Sequence, residues 1–240
     1  MFELDKWIEG KYLEKHSFRE YQSFLSKSLE EGIVLDDFFK SEKMKKIENF
    51  VRNEAEFREE FILYSAIKKT QGDEEDKRQE LSQNGWNSAK ESDKFSYRKQ
   101  VSWVKPGYEM SKNWLTYLMF RDFLMQSFPS YIKEVTGLKL DCGTVFIDVQ
   151  DKENFLKKHN DVKTGRKLCL ILYLSEGWEE EYGGKFCMAL QDGSIKKTDA
   201  FYNRLVIFSP SNKTAHYVEP NLTDDQSRIC LVAWFNEVNS

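Results

Sequence analysis

From Leu138 onward the chain breaks into short apolar runs separated by turns, at 143–149, 168–174, 185–190, 205–208 and 228–235. Runs of this length, rich in Val, Ile, Leu and aromatic residues, read as strands. Residues before 138 read differently. Phe18, Tyr21, Leu25 and Leu29 recur at helical intervals before a Glu31-Gly32 stop, and residues 33–39 form a short strand leading into a loop. Ser41 is then a candidate N-cap for a helix whose Met44, Ile47 and Val51 share a face. Residues 57–67 lean to strand, 72–94 read as a polar loop or lid, and Phe95 and Tyr97 alternate like a strand. Trp114, Leu118 and Phe128 mark a further helix ended by Pro129, with a shorter one reaching Gly137. Helices followed by strands predict an α+β fold, a β-sandwich or barrel flanked by N-terminal helices.

At 240 residues, with 40% hydrophobic, 15% aromatic and 32% charged residues, the chain is expected to pack one core. The formal net charge of -4 supplies no global attraction to nucleic acid or anionic lipid. No stretch approaches the roughly 20 apolar residues of a membrane span, and acidic residues at 3, 5 and 9 interrupt any signal-peptide pattern. The expectation is therefore a cytoplasmic protein. Cys142, Cys169, Cys187 and Cys230 contain no CxxC pair, which favours buried reduced thiols over a zinc site.

Of three histidines, His159 and His216 fall in the β-rich half. His159-Asn160-Asp161 is an H-x-D triplet, and in an extended segment residues two apart point to the same side, so both side chains can reach one ion. His216 is the remaining histidine of that half. Two imidazoles and one carboxylate on one face of an octahedral ion leave three positions open, which suits Fe(II). An H-x-D triplet alone is commonplace on surfaces; Arg228, twelve residues past His216, gives it weight. An arginine opening an apolar strand needs a carboxylate partner. That partner is either a dicarboxylic co-substrate or an internal Asp or Glu. Alternation puts Arg228, Cys230, Val232 and Trp234 on one face, and Cys169, Ile171 and Tyr173 on another that faces the same way. Tyr173 then serves either as a co-substrate contact or as a core tyrosine.

The ordered set His159-Asn160-Asp161, Arg166, the run Leu170-Ile171-Leu172-Tyr173-Leu174, Trp178, Gly183-Gly184, Asn203-Arg204, His216, Arg228 and Trp234 resembles the prolyl 4-hydroxylase-like superfamily of 2-oxoglutarate and Fe(II) dioxygenases. Within it, the likeness is nearest the branch that hydroxylates a prolyl residue of a ribosomal protein. The resemblance implies a double-stranded β-helix (jelly roll) core flanked by N-terminal helices, with residues 1–32 as a helical extension and 33–240 as the dioxygenase domain. It implies His159, Asp161 and His216 as catalytic iron ligands, Arg228 as the 2-oxoglutarate clamp, Tyr173 as a second co-substrate contact and Trp234 as a pocket wall. Gly183-Gly184 would form a tight turn, and Asn203 and Arg204 would be structural. Fe(II), 2-oxoglutarate and O2 are the implied cofactors, with ascorbate as an auxiliary reductant. The implied substrate is a protein or peptide, most directly its prolyl residue; the alternatives are a free amino acid or small metabolite, or a non-catalytic metal-binding or sensing module. Nucleic-acid demethylases of similar triad carry a second arginine six residues after the clamp, where this chain has Trp234. Residues 72–107, with Trp86, Arg98 and Trp103, form the expected substrate-facing segment.

Overall fold

The last strand of the chain, Arg228–Glu237, pairs along nearly its whole length with Leu140–Gln150, and this pairing frames everything between them. In the computed structural model, which describes residues 4–14, 29–69, 75–104 and 109–238, the strands are β1 (Ile33–Leu35), β2 (Ala55–Leu63), β3 (Lys94–Val104), β4 (Leu140–Gln150), β5 (Phe155–His159) and β6 (Arg166–Tyr173). They continue as β7 (Phe186–Ala189), β8 (Ile195–Thr198), β9 (Leu205–Phe208), β10 (Ala215–Val218) and β11 (Arg228–Glu237). Within β4–β11 the first strand pairs with the last, β5 with β10, β6 with β9 and β7 with β8, all antiparallel. That nested order is a jelly roll, the expected double-stranded β-helix. Strand β3 pairs with both β4 and β5, so the β2–β3 ribbon joins the two halves of the roll along one edge.

Alternation divides the interior. Ile229, Leu231, Ala233 and Phe235 belong to a core shared with the helices Ser41–Asn53, Lys112–Gln126 and Phe128–Thr136, with the Phe235 and Phe128 rings 6.0 Å apart. Cys230 and Val232 belong to a second cluster inside the roll with Cys169, Ile171, Tyr173, Phe186 and Phe208. The predicted facing of the two strands therefore holds.

Several expectations change. Ser41 is the first helical residue, and the N-cap position is held by Lys40 without a side-chain cap bond; Met44, Ile47 and Val51 do bury together. Pro129 starts the Phe128–Thr136 helix, where its missing N–H costs nothing, instead of only ending the preceding one. The polar stretch after 72 contains the helix Glu75–Gly85. Its residues are strong helix formers with little apolar periodicity, and it docks through buried polar groups. The Gln79 amide donates to the Glu59 carbonyl at 3.0 Å, and the Leu63 N–H donates to Ser82 Oγ at 3.1 Å. Residues 57–67 split into the end of β2 and the helix Tyr64–Lys69. Strands β5, β8 and β10 were not anticipated; each is four or five residues long and mixes polar or charged with apolar side chains. The helix expected through Phe18, Tyr21 and Leu25 lies outside the described residues.

Candidate metal and co-substrate site

Strand β5 ends at His159 and β10 carries His216 directly opposite it in register. Asp161 joins them by a route different from the extended one expected: its φ is +55°, so the chain leaves β5 in a left-handed turn that swings the carboxylate back over the strand end. Asn160 shapes this turn, its Oδ1 accepting from the Val162 N–H at 3.2 Å. Arg166 pins it, Nη1 donating to the Asp161 carbonyl at 3.1 Å and approaching Asp161 Oδ1 at 3.5 Å while the guanidinium stacks 3.6 Å from the Trp234 ring.

The result is a cluster in which one ligating atom of each of His159, Asp161 and His216 lies within 4.8 Å of the others. His159 Nε2 is 3.5 Å from Asp161 Oδ1, and His216 Nε2 is 3.4 Å from Asp161 Oδ2. His159 Nδ1 lies 2.8 Å from the Lys157 carbonyl, which can only accept, so Nδ1 donates there and Nε2 is the nitrogen turned toward the cluster. His216 is wedged against Phe208 and Phe186, with ring centroids at 4.8 and 5.4 Å. Burial lowers the His216 pKa, outweighing the pull of Asp161. Burial works against the Asp161 charge, but hydrogen bonds and charge from both imidazoles hold its carboxyl well below the usual range. Two imidazoles around an ionised carboxylate make a donor set that suits a divalent cation.

These side chains border a cavity of about 620 Å³, which Arg228, Cys230, Val232 and Trp234 also line. Arg228 is 1% exposed, yet it forms no salt bridge with any described carboxylate. Its Nη1 donates to Gln150 Oε1 at 3.1 Å, and its Nε is buried without a hydrogen-bond partner. Asp148 lies near enough to act on its charge but pairs with Arg98, so no described carboxylate closes an ion pair with Arg228 itself. The guanidinium lies 4.9 Å from the Tyr173 ring, and the Tyr173 hydroxyl is likewise buried without a partner. Burial pushes that hydroxyl up to about 12, so it stays a proton donor. Two unmatched donors side by side fit an anionic oxygen ligand. Gly184 makes the seat: a Cβ there would meet Arg228 Cδ at 2.8 Å, and at Gly183 it would meet the Pro220 carbonyl at 2.7 Å.

Arg98 of the expected substrate-facing segment lines the same cavity, whereas Trp86 does not, and the Trp103 side chain lies outside the described residues. Asp148 and Gln150 on the inner face of β4 were missed, although two polar residues alternating in an apolar strand signal an inward-facing site. Arg78 at the cavity wall comes from the helix that replaced the expected loop, and Tyr64 and Ile67 come from the helix Tyr64–Lys69, where a strand was expected. Asn203, with φ +56°, exchanges two hydrogen bonds with the Phe39 backbone, and Arg204 pairs with Asp36, consistent with structural roles.

Residues 145–236 match the sequence model of a family described as the 2OG-Fe(II) oxygenase superfamily. A mouse protein named prolyl 3-hydroxylase OGFOD1 is 27% identical over 123 residues, which cover 48% of this chain and 22% of that protein. The chain thus spans under a quarter of the length of this relative. Among solved structures, a Pseudomonas putida prolyl-4-hydroxylase superposes with a TM-score of 0.59 at 18% identity, covering 92% of this chain and all of the other. An oxidoreductase of the 2OG-Fe(II) oxygenase family from Burkholderia pseudomallei gives 0.61 at 11% identity over 95% and 94%. These likenesses establish the jelly-roll fold for nearly the whole chain.

Proposed function

Because residues 145–236 match the model of the 2OG-Fe(II) oxygenase superfamily, we propose that the chain is a non-haem Fe(II) and 2-oxoglutarate dependent hydroxylase acting on a prolyl residue of a protein or peptide. Such a centre couples the decarboxylation of 2-oxoglutarate by O2, giving succinate and CO2, to insertion of one oxygen atom into a substrate C–H bond.

His159, Asp161 and His216 would hold the iron, and Arg228 with Tyr173 would hold the far carboxylate of 2-oxoglutarate. The observation that carries this assignment is a buried guanidinium with no protein carboxylate, in one cavity with a two-histidine, one-carboxylate cluster. A non-catalytic metal module has no need of such a guanidinium. Arg228 fixes the co-substrate by charge and geometry, the Tyr173 hydroxyl adds one donor, and Trp234 with Arg166 walls the cavity beside Asp161. The prolyl preference rests on relatives and neighbours named as prolyl hydroxylases.

We further take residues 33–240 as the dioxygenase domain and 1–32 as an extension. Its described part packs on the domain through Trp7, whose ring lies 5.0 Å from Phe120, and through an Ile8–Phe39 bridge. A cytoplasmic location is supported by four buried free cysteines. No described helix is long and apolar enough to cross a membrane.

Succinate release from 2-oxoglutarate with Fe(II) and O2, with mass spectrometry of proline-containing peptides and free amino acids, tests the reading. A substrate-dependent gain of one oxygen is expected; absence of succinate with every candidate would overturn it.

A further inference from the structure

Arg98 sits on β3, outside the segment that matches the family, and reaches the cavity from the edge that joins the two halves of the roll. Two acidic side chains hold it. Nε and Nη2 each lie 3.1 Å from Glu60 Oε2, and Nη1 donates to Asp148 Oδ2 at 2.8 Å. Glu60 Oε1 in turn accepts from Arg58 Nη2 at 3.0 Å. The guanidinium carbon lies 5.7 Å from the Phe146 ring centroid, so an aromatic wall also limits its movement. Arg98 and Asp148 both line the cavity, and Arg98, at 14% exposed in its side chain against 3% and 6% for Glu60 and Asp148, is the most open of the three.

Burying an ion network of this kind seldom adds stability over apolar residues of equal volume. Its effect here is to fix a guanidinium in one orientation. A guanidinium has five N–H groups in a planar fork, and those not directed at Glu60 and Asp148 remain as donors. We propose that Arg98 is a specificity-determining residue that donates these N–H groups to a main-chain carbonyl oxygen of a peptide substrate.

Charge selects this ligand over the alternatives. The cluster is already balanced, two carboxylates against Arg98 and Arg58, so a further carboxylate from a free amino acid or from 2-oxoglutarate would add an unpaired negative charge. A peptide carbonyl accepts strongly and carries no charge, so it suits a donor whose charge is already neutralised. Arg228, a second buried guanidinium of the cavity, has no direct carboxylate partner and is the one suited to an anion. The inference rests on the hydroxylase reading and assigns its preference for peptides over free amino acids to one residue.

The test is calorimetric titration of a panel of N-acetylated, C-amidated proline peptides, of free L-proline and of 2-oxoglutarate into the anaerobic Fe(II)-loaded protein, with 2-oxoglutarate present for the first two. Arg98→Ala should weaken capped-peptide binding by about tenfold or more and leave 2-oxoglutarate affinity unchanged. Because that variant strands two buried acids, the triple variant Arg98→Met, Glu60→Gln, Asp148→Asn provides a charge-balanced second arm with the same expected loss. Unchanged peptide affinity, an equal loss for free L-proline, or a fall in 2-oxoglutarate affinity would each overturn the proposal. If no capped peptide binds the wild type while another substrate supports succinate release, this inference fails and the hydroxylase reading stands. If nothing supports succinate release, the hydroxylase reading itself fails.

Discussion

His159 and His216 face each other as register partners across the β5–β10 pairing, with ring centroids 4.2 Å apart. Side chains of directly opposed residues project to the same side of a sheet, so this one register brings together two imidazoles that are 57 residues apart in the chain. Asp161 reaches them because the turn after β5 reverses within two residues.

Arg228→Ala should weaken 2-oxoglutarate binding by about 100-fold, the usual scale for removing one partner of a buried charge pair, while Fe(II) affinity stays within about twofold. Arg228→Lys should recover part of the loss through charge without restoring the fork. Anaerobic titrations of Fe(II) and of 2-oxoglutarate separate the two effects. Equal loss of both would contradict the assignment.

Gly184→Ala tests the same clamp from the side of packing. The added methyl would collide with Arg228 Cδ and crowd Trp178, at a position whose φ of +61° already disfavours an L side chain. Co-substrate affinity should fall about tenfold or more with the iron site intact. An unchanged affinity would show that the guanidinium is not held by this contact.

The fold of the second half was legible because alternation in 228–235 and 168–174 assigned inner and outer faces correctly. The order of H-x-D triplet, glycine pair, second histidine and arginine then pointed to the site. What escaped has physical causes. Strands β5, β8 and β10 are short and carry polar or charged residues, so pairing defines them where hydrophobic pattern does not. The helix after 74 docks through Gln79 and Ser82, polar groups that give no apolar signature. The H-x-D geometry was right in outcome and wrong in cause, since nothing in the triplet discloses the left-handed φ of Asp161. Glu60 was invisible because its partner Arg98 lies 38 residues away on another strand.

Asn203 is expected to be structural. Asn203→Ala removes the bonds to the Phe39 N–H and carbonyl, at 3.2 and 2.6 Å, and places a less tolerant residue at positive φ. A loss of about 2 kcal/mol in unfolding free energy is expected, measured by denaturant titration. Co-substrate affinity in the folded variant should be unchanged.

Burial holds the His216 pKa below its ordinary value of 6.5. For a group whose folded pKa is depressed, the unfolded chain binds the proton more readily. Its contribution to stability is then complete above the unfolded value and is lost as pH falls through the folded one. The metal-free wild type should therefore lose stability below about pH 6.5, and His216→Gln should lose less over the same window. Thermal unfolding from about pH 8 to about pH 5 reads the difference, and identical slopes would contradict it.

The central claim is that His159, Asp161 and His216 hold one ferrous ion that 2-oxoglutarate chelates in front of Arg228. Anaerobic addition of Fe(II) and 2-oxoglutarate should produce, in the wild type, the visible charge-transfer absorption of a ferrous keto-acid chelate, saturating at one iron per chain. His216→Ala should abolish it. The same band at the same iron affinity in that variant would contradict the account.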